Sequence, residues 1–264
     1  MKTELMQRGS VVLVTAGASG IGRAIAEQFL AQDCAVHVCD IDESAIREFS
    51  EANPNATATQ ADVSLVADVD RVFDDIESRY ARLDVLVNNA GIAGPTGNIE
   101  DIDPADWDRT IAVNLGANFL CSRKAARYLK RNGGSIVNVS SNAAFTGCPG
   151  RTPYAASKWA ISGMTKTLAM ELGRFGVRVN AICPCSVEGD RIDAVISRDA
   201  KRLKKTEADI RGIYQRQSSL RRFVTAGDVA NMAVFLASES GRYVSGQAIG
   251  VDGHTESLSN WLDD

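Results

Sequence analysis

The strongest constraint in this 264-residue sequence is a rhythm: short apolar runs, continuous rather than alternating, recur between stretches of helical periodicity. The runs fall at residues 10–15, 35–39, 57–61, 83–88, 135–139, 177–183 and 247–251. An alternating strand keeps one face in water. A strand that is apolar throughout is covered on both faces, which is the condition of a parallel sheet between two helix layers. Right-handed crossovers then make the chain a doubly wound α/β fold. The intervening segments supply the helices. Ile21, Ala24, Ile25, Phe29 and Leu30 recur near helical spacing over 21–30, and Val69, Val72, Phe73 and Ile76 share one face of a helix over 65–80. Further helices are expected at 42–52, 104–131, 154–175 and 225–237, the second of these opened by Asp103-Pro104 and closed by Asn132-Gly133-Gly134. No linker, repeat or low-complexity segment divides residues 1–264, which therefore read as one domain. Residues 188–222 break the rhythm. They lack a strand and hold ten Lys and Arg against six Asp and Glu, a net of +4 in a chain whose total is −4, so the remainder carries −8.

Composition excludes several chemistries. No apolar run reaches the roughly 18–20 residues that span a bilayer, and the polar N-terminus lacks the apolar stretch of an export signal, so a cytoplasmic location is expected. A net acidic chain is not designed for nucleic acid or anionic membranes. His37 and His254 are the whole supply of imidazole, and the six cysteines match neither zinc spacing nor a CxxC redox pair. They read as reduced thiols, with no metal.

A glycine-rich turn, Thr15-Ala16-Gly17-Ala18-Ser19-Gly20-Ile21-Gly22, joins the first run to the first helix. Glycines let a backbone approach a pyrophosphate closely, and the helix N-terminus beyond offers free N–H groups and the positive end of its dipole. Asp40 closes the second run 18 residues after Gly22. A carboxylate there can accept both hydroxyls of an adenosine ribose and repels a 2′-phosphate, which favours NAD over NADP. The competing reading of Asp40 is a solvated loop residue or a helix cap, a role for which Asp42 also competes.

With this turn, Asn88-Asn89-Ala90-Gly91, Asn114, Ser141 and Tyr154-Ala155-Ala156-Ser157-Lys158 in one chain, the sequence resembles the short-chain dehydrogenase/reductase family over nearly its whole length. The resemblance implies a Rossmann-type doubly wound seven-stranded parallel sheet with helices on both faces. It also implies NAD(P)-linked oxidation of an alcohol or reduction of a carbonyl. By the same resemblance Gly17, Ser19, Gly20, Ile21 and Gly22 face the pyrophosphate side, Asp40 and Ile41 the ribose, and Asp62 and Val63 the adenine. Asn89, Ala90 and Gly91 support the central sheet and ribose, and Pro184 and Val187 complete the cofactor set. The sequence departs from the family at Ala16, Cys185, Gly189 and His254. At the first of these, the neighbouring Gly17 is expected to preserve the turn.

Tyr154 and Lys158 lie four apart at a helix start, on one face. A free tyrosine has a pKa of about 10, too high for an efficient base near neutrality. An ammonium about 4 Å away contributes on the order of 4 kcal/mol at an effective dielectric near 20, enough to favour the phenolate. Such a pair alone is a common surface motif. What singles it out is Ser141, 13 residues earlier at the carboxyl end of the fifth run, where ligands of open α/β sheets bind. Ser140 is the alternate, and the family register selects Ser141. The resemblance adds Asn114 as the holder of a proton-relay water. Tyr154 then exchanges the substrate proton, Ser141 orients the oxygen, and Lys158 tunes the tyrosine and holds the nicotinamide ribose.

The expected substrate is a secondary alcohol or ketone: a sugar, a polyol or a hydroxy acid. Asn142, Arg151 and Arg191 are candidate substrate contacts, the arginines for an anionic group. The basic half of 188–222 reads first as a solvated helix face, with capture of an anionic substrate as the competing reading. In the family this segment covers the substrate. Family members pair through the helices at 104–131 and 154–175, so a homotetramer or homodimer is expected, with the last strand and the Trp261 region in a second interface. Two alternatives stand beside this reading: an NADPH-dependent 3-oxoacyl thioester reductase, and an NAD-sensing protein that does no chemistry.

Overall fold

The expected runs pair as one parallel seven-stranded sheet in a computed structural model that describes residues 5–255 and 257. The strands are β1 (Val11–Thr15), β2 (Ala35–Asp40), β3 (Thr57–Gln60), β4 (Val85–Asn88), β5 (Gly134–Val139), β6 (Val177–Pro184) and β7 (Ala248–Val251). Their order is β3-β2-β1-β4-β5-β6-β7. The central strand explains its own sequence. Val12 and Val14 enter one core layer with Ile25, Phe29, Val229 and Ala233, while Val11 and Leu13 enter the other with Val72, Ile76, Cys121 and Leu129. Every side chain of such a strand meets a helix, and burying each is worth about 1.5–3 kcal/mol. A polar residue on either face of β1 would therefore cost a core contact, which is why the run does not alternate.

The first layer includes α1 (Gly20–Leu30), α2 (Glu43–Ala52) and α9 (Ala226–Ala237); the second includes α3 (Val66–Tyr80), α5 (Ala117–Asn132) and α6 (Thr152–Gly173). The chain winds from β1 outward through β2 to β3, then returns to the other side of β1 with β4. The crevice for ligands in such a sheet opens at this reversal, beyond the carboxyl ends of the strands. Arg178 on β6 fastens the end of α9, donating to the carbonyls of Leu236, Ala237, Ser238 and Gly241. These are carbonyls that a helix leaves without partners at its C-terminus.

Two segments differ from the periodicity reading. The helix expected over 104–131 is interrupted. It runs as α4 (Pro104–Ile111), capped by the Asp103 carboxylate on the Ala105 amide at 2.8 Å, then as a π-turn over Ala112–Gly116, then as α5. Apolar spacing does not report the one-residue excess of a π-turn, because the helix stays continuous through it. Residues 188–222, to which the periodicity assigned no element, are largely helical. They form α7 (Asp190–Leu203) and α8 (Glu207–Arg216), packed on a small core of Ile192, Ile196, Ala200, Ile210 and Phe223. Thr206 and Asp209 make a capping box that starts α8. Among the described residues, no helix is long and apolar enough to cross a membrane.

Candidate active site

The turn after β1 is held by neighbours rather than by its glycines alone. Ala16 takes φ +48°, a left-handed conformation that disfavours a Cβ. The turn survives, as expected, but Gly17 contributes its small size and does not take the left-handed backbone itself. Gly17 is needed because a Cβ there would lie 2.8 Å from the Val14 carbonyl oxygen and from Val38. The Asn89 amide nitrogen donates to the carbonyls of both Thr15 and Ala16 at 3.0 Å, pinning the strained residue. Thr15 Oγ1 accepts from the Asn89 and Ala90 amides at 3.0 Å each, so the turns after β1 and β4 are stitched together. At Gly22 a Cβ would stand 2.0 Å from the Ala16 oxygen and 2.5 Å from Asn89 Nδ2. Gly20, at φ +53°, faces open space. Ser19 precedes α1 without a side-chain cap, and no acidic residue sits in the first turn. The free N–H groups and positive dipole end of α1 thus point into the crevice uncompensated, the condition for an anion such as a pyrophosphate.

Asp40 is buried at the end of β2. Its carboxylate accepts from the Ala18 amide at 3.2 Å and the Asp42 amide at 3.2 Å, so it faces the turn and does not cap α2. Asp42 is that cap, on Ser44 and Ala45. Ile41 beside it is 60% exposed. After β3, Val63 is buried, and Asp62 is already held by the Ser64 amide at 3.0 Å, the Ser64 hydroxyl at 2.6 Å and Arg109 at 3.2 Å. Partial burial pushes the Asp62 carboxyl up, but these donors outweigh it and hold it below the usual carboxylate range.

Tyr154 lies in the first turn of α6, because the helix starts two residues before it, at Thr152 with Pro153 following. Four residues on, the buried Lys158 donates to the Val139 carbonyl at 3.0 Å, and its ammonium lies 5.6 Å from the centre of the Tyr154 ring. A guanidinium from Arg151 lies 4.8 Å from the same ring. Burial raises the Tyr154 pKa, but Lys158, Arg191, a hydrogen bond from Ser141 and Arg151 together bring it below the ordinary phenol value. Burial lowers the Lys158 pKa, as does Arg191, against the opposing pull of Tyr154. Ser140 and Ser141 separate cleanly. Ser140 Oγ donates to the Lys158 carbonyl at 3.1 Å and serves packing, while Ser141 reaches the tyrosine.

Asn114 sits inside the π-turn, buried. Its side chain is fully engaged: Oδ1 accepts from the Ile92 amide at 2.8 Å, and Nδ2 donates to the Ile92 carbonyl at 3.1 Å and to Ser157 Oγ at 3.0 Å. The amide therefore clamps the loop after β4 against α6. A Cβ on Gly91 would stand 3.3 Å from Asn114 Oδ1 and 3.5 Å from Lys158 Nζ, so the lysine and the π-turn meet over this glycine. Sequence reading missed the scaffold behind them. Asn88 Nδ2 donates to Asn138 at 2.9 Å, Ser122 at 3.0 Å and Asn118 at 3.2 Å, and Asn138 donates to Thr165 at 2.9 Å. Its one sequence signal is an Asn at the carboxyl end of each of two mainly apolar strands.

A cavity of about 1240 Å³ opens above the strand ends. Ser19, Gly20, Ile21, Asn89, Gly91, Ser141, Asn142, Arg151, Tyr154, Lys158, Pro184, Val187 and Arg191 all line it. Gly17, Gly22, Ala90 and Asn114 stand behind its wall, and Asp40, Ile41, Asp62 and Val63 extend from the turn along β2 and β3 rather than bordering it. The far wall comes from α7, which begins at Gly189 with φ +132°. That backbone belongs to glycine, so Gly189 sets the angle at which α7 leaves the sheet. Val187 pairs with Val224 in an isolated bridge that ties this exit to the segment before α9.

A sequence model described as enoyl-(acyl carrier protein) reductase matches residues 15–254. The chain is 35% identical over 260 residues to (+)-borneol dehydrogenase 2 of Salvia officinalis, covering 96% of this chain and 92% of that one. It is 35% identical over 252 residues to 2-(S)-hydroxypropyl-CoM dehydrogenase 3 of Xanthobacter autotrophicus, covering 93% and 96%. The protein belongs to the short-chain dehydrogenase/reductase family. Among solved structures, levodione reductase superposes with a TM-score of 0.87 at 27% identity, over 94% of this chain and 98% of that one. An NAD+-bound xylitol dehydrogenase shares the fold, with a TM-score of 0.87 at 24% identity over 94% and 99%. The chain is accordingly an oxidoreductase that transfers hydride between a nicotinamide cofactor and a CH–OH or carbonyl group.

Proposed function

We propose that this short-chain dehydrogenase/reductase oxidises a secondary alcohol, or reduces the matching ketone, with NAD rather than NADP. The observation that carries the reading is the half-buried Tyr154, lowered in pKa between Lys158 and Ser141 on the wall of a cavity that the free end of α1 also lines. Asp40 supports the choice of nucleotide. It is buried, held toward the turn by the Ala18 amide, and a 2′-phosphate placed there would meet a carboxylate. The residues present suit a dinucleotide. The cradle at Gly22 has no room for a Cβ, and α1 presents unspent donors.

When bound, the nicotinamide supplies the hydride acceptor or donor. The chain supplies the rest. Tyr154 Oη takes the proton of the substrate hydroxyl during oxidation and returns it during reduction. Ser141 Oγ holds the substrate oxygen beside it. Lys158 favours the phenolate by its charge, and it stays in place because Val139 anchors the ammonium. Asn114 fixes the loop at Ile92 and leaves the proton path to run past Gly91 toward Lys158. Asp40 also weighs against an NADPH-dependent thioester reductase, and the joint presence of Tyr154, Lys158, Ser141 and Asn114 against a protein that only senses NAD.

Residues 1–264 act as one domain in this reading, with 188–222 as the cover of the substrate. Six free cysteines suit the reducing cytoplasm. A screen of nucleotide reduction over neutral and acidic secondary alcohols tests the proposal. NAD+ is expected to support turnover better than NADP+, and Tyr154→Phe to abolish turnover while NAD+ still binds. Equal use of both nucleotides, or near-normal turnover by Tyr154→Phe, would overturn it.

A further inference from the structure

The geometry points to an anionic group on the substrate, held beside the reacting oxygen by Arg151 and Arg191 with the Asn142 amide as a third donor. The inference rests on the alcohol-oxidising reading above and names the class of alcohol. Two donor atoms on the cavity wall around Tyr154, Arg151 Nε and Asn142 Nδ2, have no hydrogen-bond partner. Arg151 is fixed in place by two contacts. Its Nη2 donates to the Ala93 carbonyl at 2.8 Å, and its guanidinium lies over the Tyr154 ring. Its Nε is buried without a hydrogen-bond partner. Asn142 is 4% exposed, and its Nδ2 is likewise buried and unpartnered, while its Oδ1 accepts from Ser141. Leaving such groups unmet costs about 1–3 kcal/mol each, which a ligand that reaches them would recover.

Arg191 comes from the opposite wall, in the first turn of α7, where N–H groups and the dipole also favour negative charge. It has no ion-pair partner among the described residues, although Glu188 and Asp190 flank it in sequence. Asp199, also on the cavity, is already engaged by Tyr214 at 2.8 Å and Arg198 at 3.2 Å. Arg151 is held by a carbonyl and Arg191 by no acid among the described residues, so the charge of both guanidiniums on this wall is not neutralised by an ion pair. Both raise the electrostatic potential at Tyr154. A neutral alcohol would leave their charge and the Asn142 donor unmet; a carboxylate or sulfonate a few bonds from the hydroxyl would satisfy all three, with the planar guanidinium forks suited to two-oxygen acceptance.

Paired substrates test this. Oxidation of 2- and 3-hydroxybutyrate, 4-hydroxypentanoate and 2-hydroxypropane-1-sulfonate is compared with that of the corresponding primary amides and sulfonamide, which keep the shape and lose the charge. Binding of the same compounds to the enzyme–NAD+ complex is followed by calorimetry. At least one acid is expected to exceed its neutral twin by about tenfold or more in kcat/KM and in affinity, the scale of one charge-assisted hydrogen bond. Whether carboxylate or sulfonate leads identifies the group. Arg191→Ala is expected to bring the acid-to-neutral ratio close to one, and Arg191→Lys to restore it in part. If no acid outperforms its neutral twin, or Arg191→Ala leaves the ratio unchanged, the inference is overturned. Turnover of neutral alcohols with no preference for acids would overturn it while leaving the hydride-transfer reading standing; binding of acids without any turnover would do the reverse.

Discussion

Gly22→Ala is the sharpest probe of the nucleotide cradle. The new Cβ would stand 2.0 Å from the Ala16 oxygen and 2.5 Å from Asn89 Nδ2, and the first of these is backbone. An ordinary carbon–oxygen contact needs more than about 3 Å, so either α1 or the Ala16 carbonyl must move by roughly 1 Å. Moving the carbonyl breaks its bond from Asn89 and frees Ala16 from the contact that holds its left-handed backbone. Overpacking costs about 1–3 kcal/mol, and an orphaned buried amide about 1–3 kcal/mol more. The sum, about 2–6 kcal/mol, corresponds to a melting point lower by roughly 5–20 °C for a chain of this size. Because the free end of α1 shifts with the turn, NAD+ affinity is expected to fall at least about tenfold, the effect of losing one good hydrogen bond. Gly20→Ala is the control. It meets nothing within 4 Å, and only its φ of +53° opposes a side chain, a cost of about 1–2 kcal/mol. Thermal melts with and without NAD+, and calorimetric titration of the nucleotide, read both effects. A Gly22→Ala protein that melts and binds NAD+ like the wild type, or no worse than Gly20→Ala, would refute the packing argument.

Two further outcomes are expected. With a neutral alcohol, the rate of oxidation should rise with pH along a limb set by Tyr154, below the ordinary phenol pKa, since the phenolate is the active base; removing the charge of Arg191 raises that pKa, so the limb of Arg191→Ala should move to higher pH, and an unmoved limb would show that Arg191 does not act on the tyrosine. Phe119, Trp159 and Met170 on α5 and α6 are 53%, 52% and 85% exposed, apolar surface that a second copy of the chain would cover; light scattering should give a dimer or tetramer that Trp159→Glu dissociates, and a monomeric wild type would contradict this. The part of the expected second interface at Trp261 lies outside the described residues.

The sheet was legible because β1, β4 and β5 place apolar residues on both faces, and that composition has few other uses. Tyr154, Lys158 and Ser141 were legible because a helical spacing and a strand end place them without knowledge of any loop. The turn was legible, its cause only in part. Sequence shows a glycine beside Ala16, but only the fold shows that Gly17 is spent on Val14 and Val38 while Asn89, far along the chain, holds the strained residue. Arg151 and Arg191 were visible as charges, yet nothing in their spacing says that one lies over the tyrosine ring and that the other has no ion pair among the described residues. Such facts depend on where α6 and α7 begin, and a shift of two residues in a helix start turns a side chain by more than half a turn.

The π-turn at Ala112–Gly116 has a consequence for how this chain can change. Each residue of a regular helix advances its face by about 100°. The extra residue thus sets the angular offset between α4, which carries Arg109 toward Asp62, and α5, which carries Asn118 and Ser122 toward Asn88. Deleting one residue here would restore an unbroken helix and rotate α5 out of register with the sheet. Adding one would do the same in the other sense. The segment behaves as a keyed coupling between two shafts: point substitutions can alter either helix, but its length is fixed by both at once.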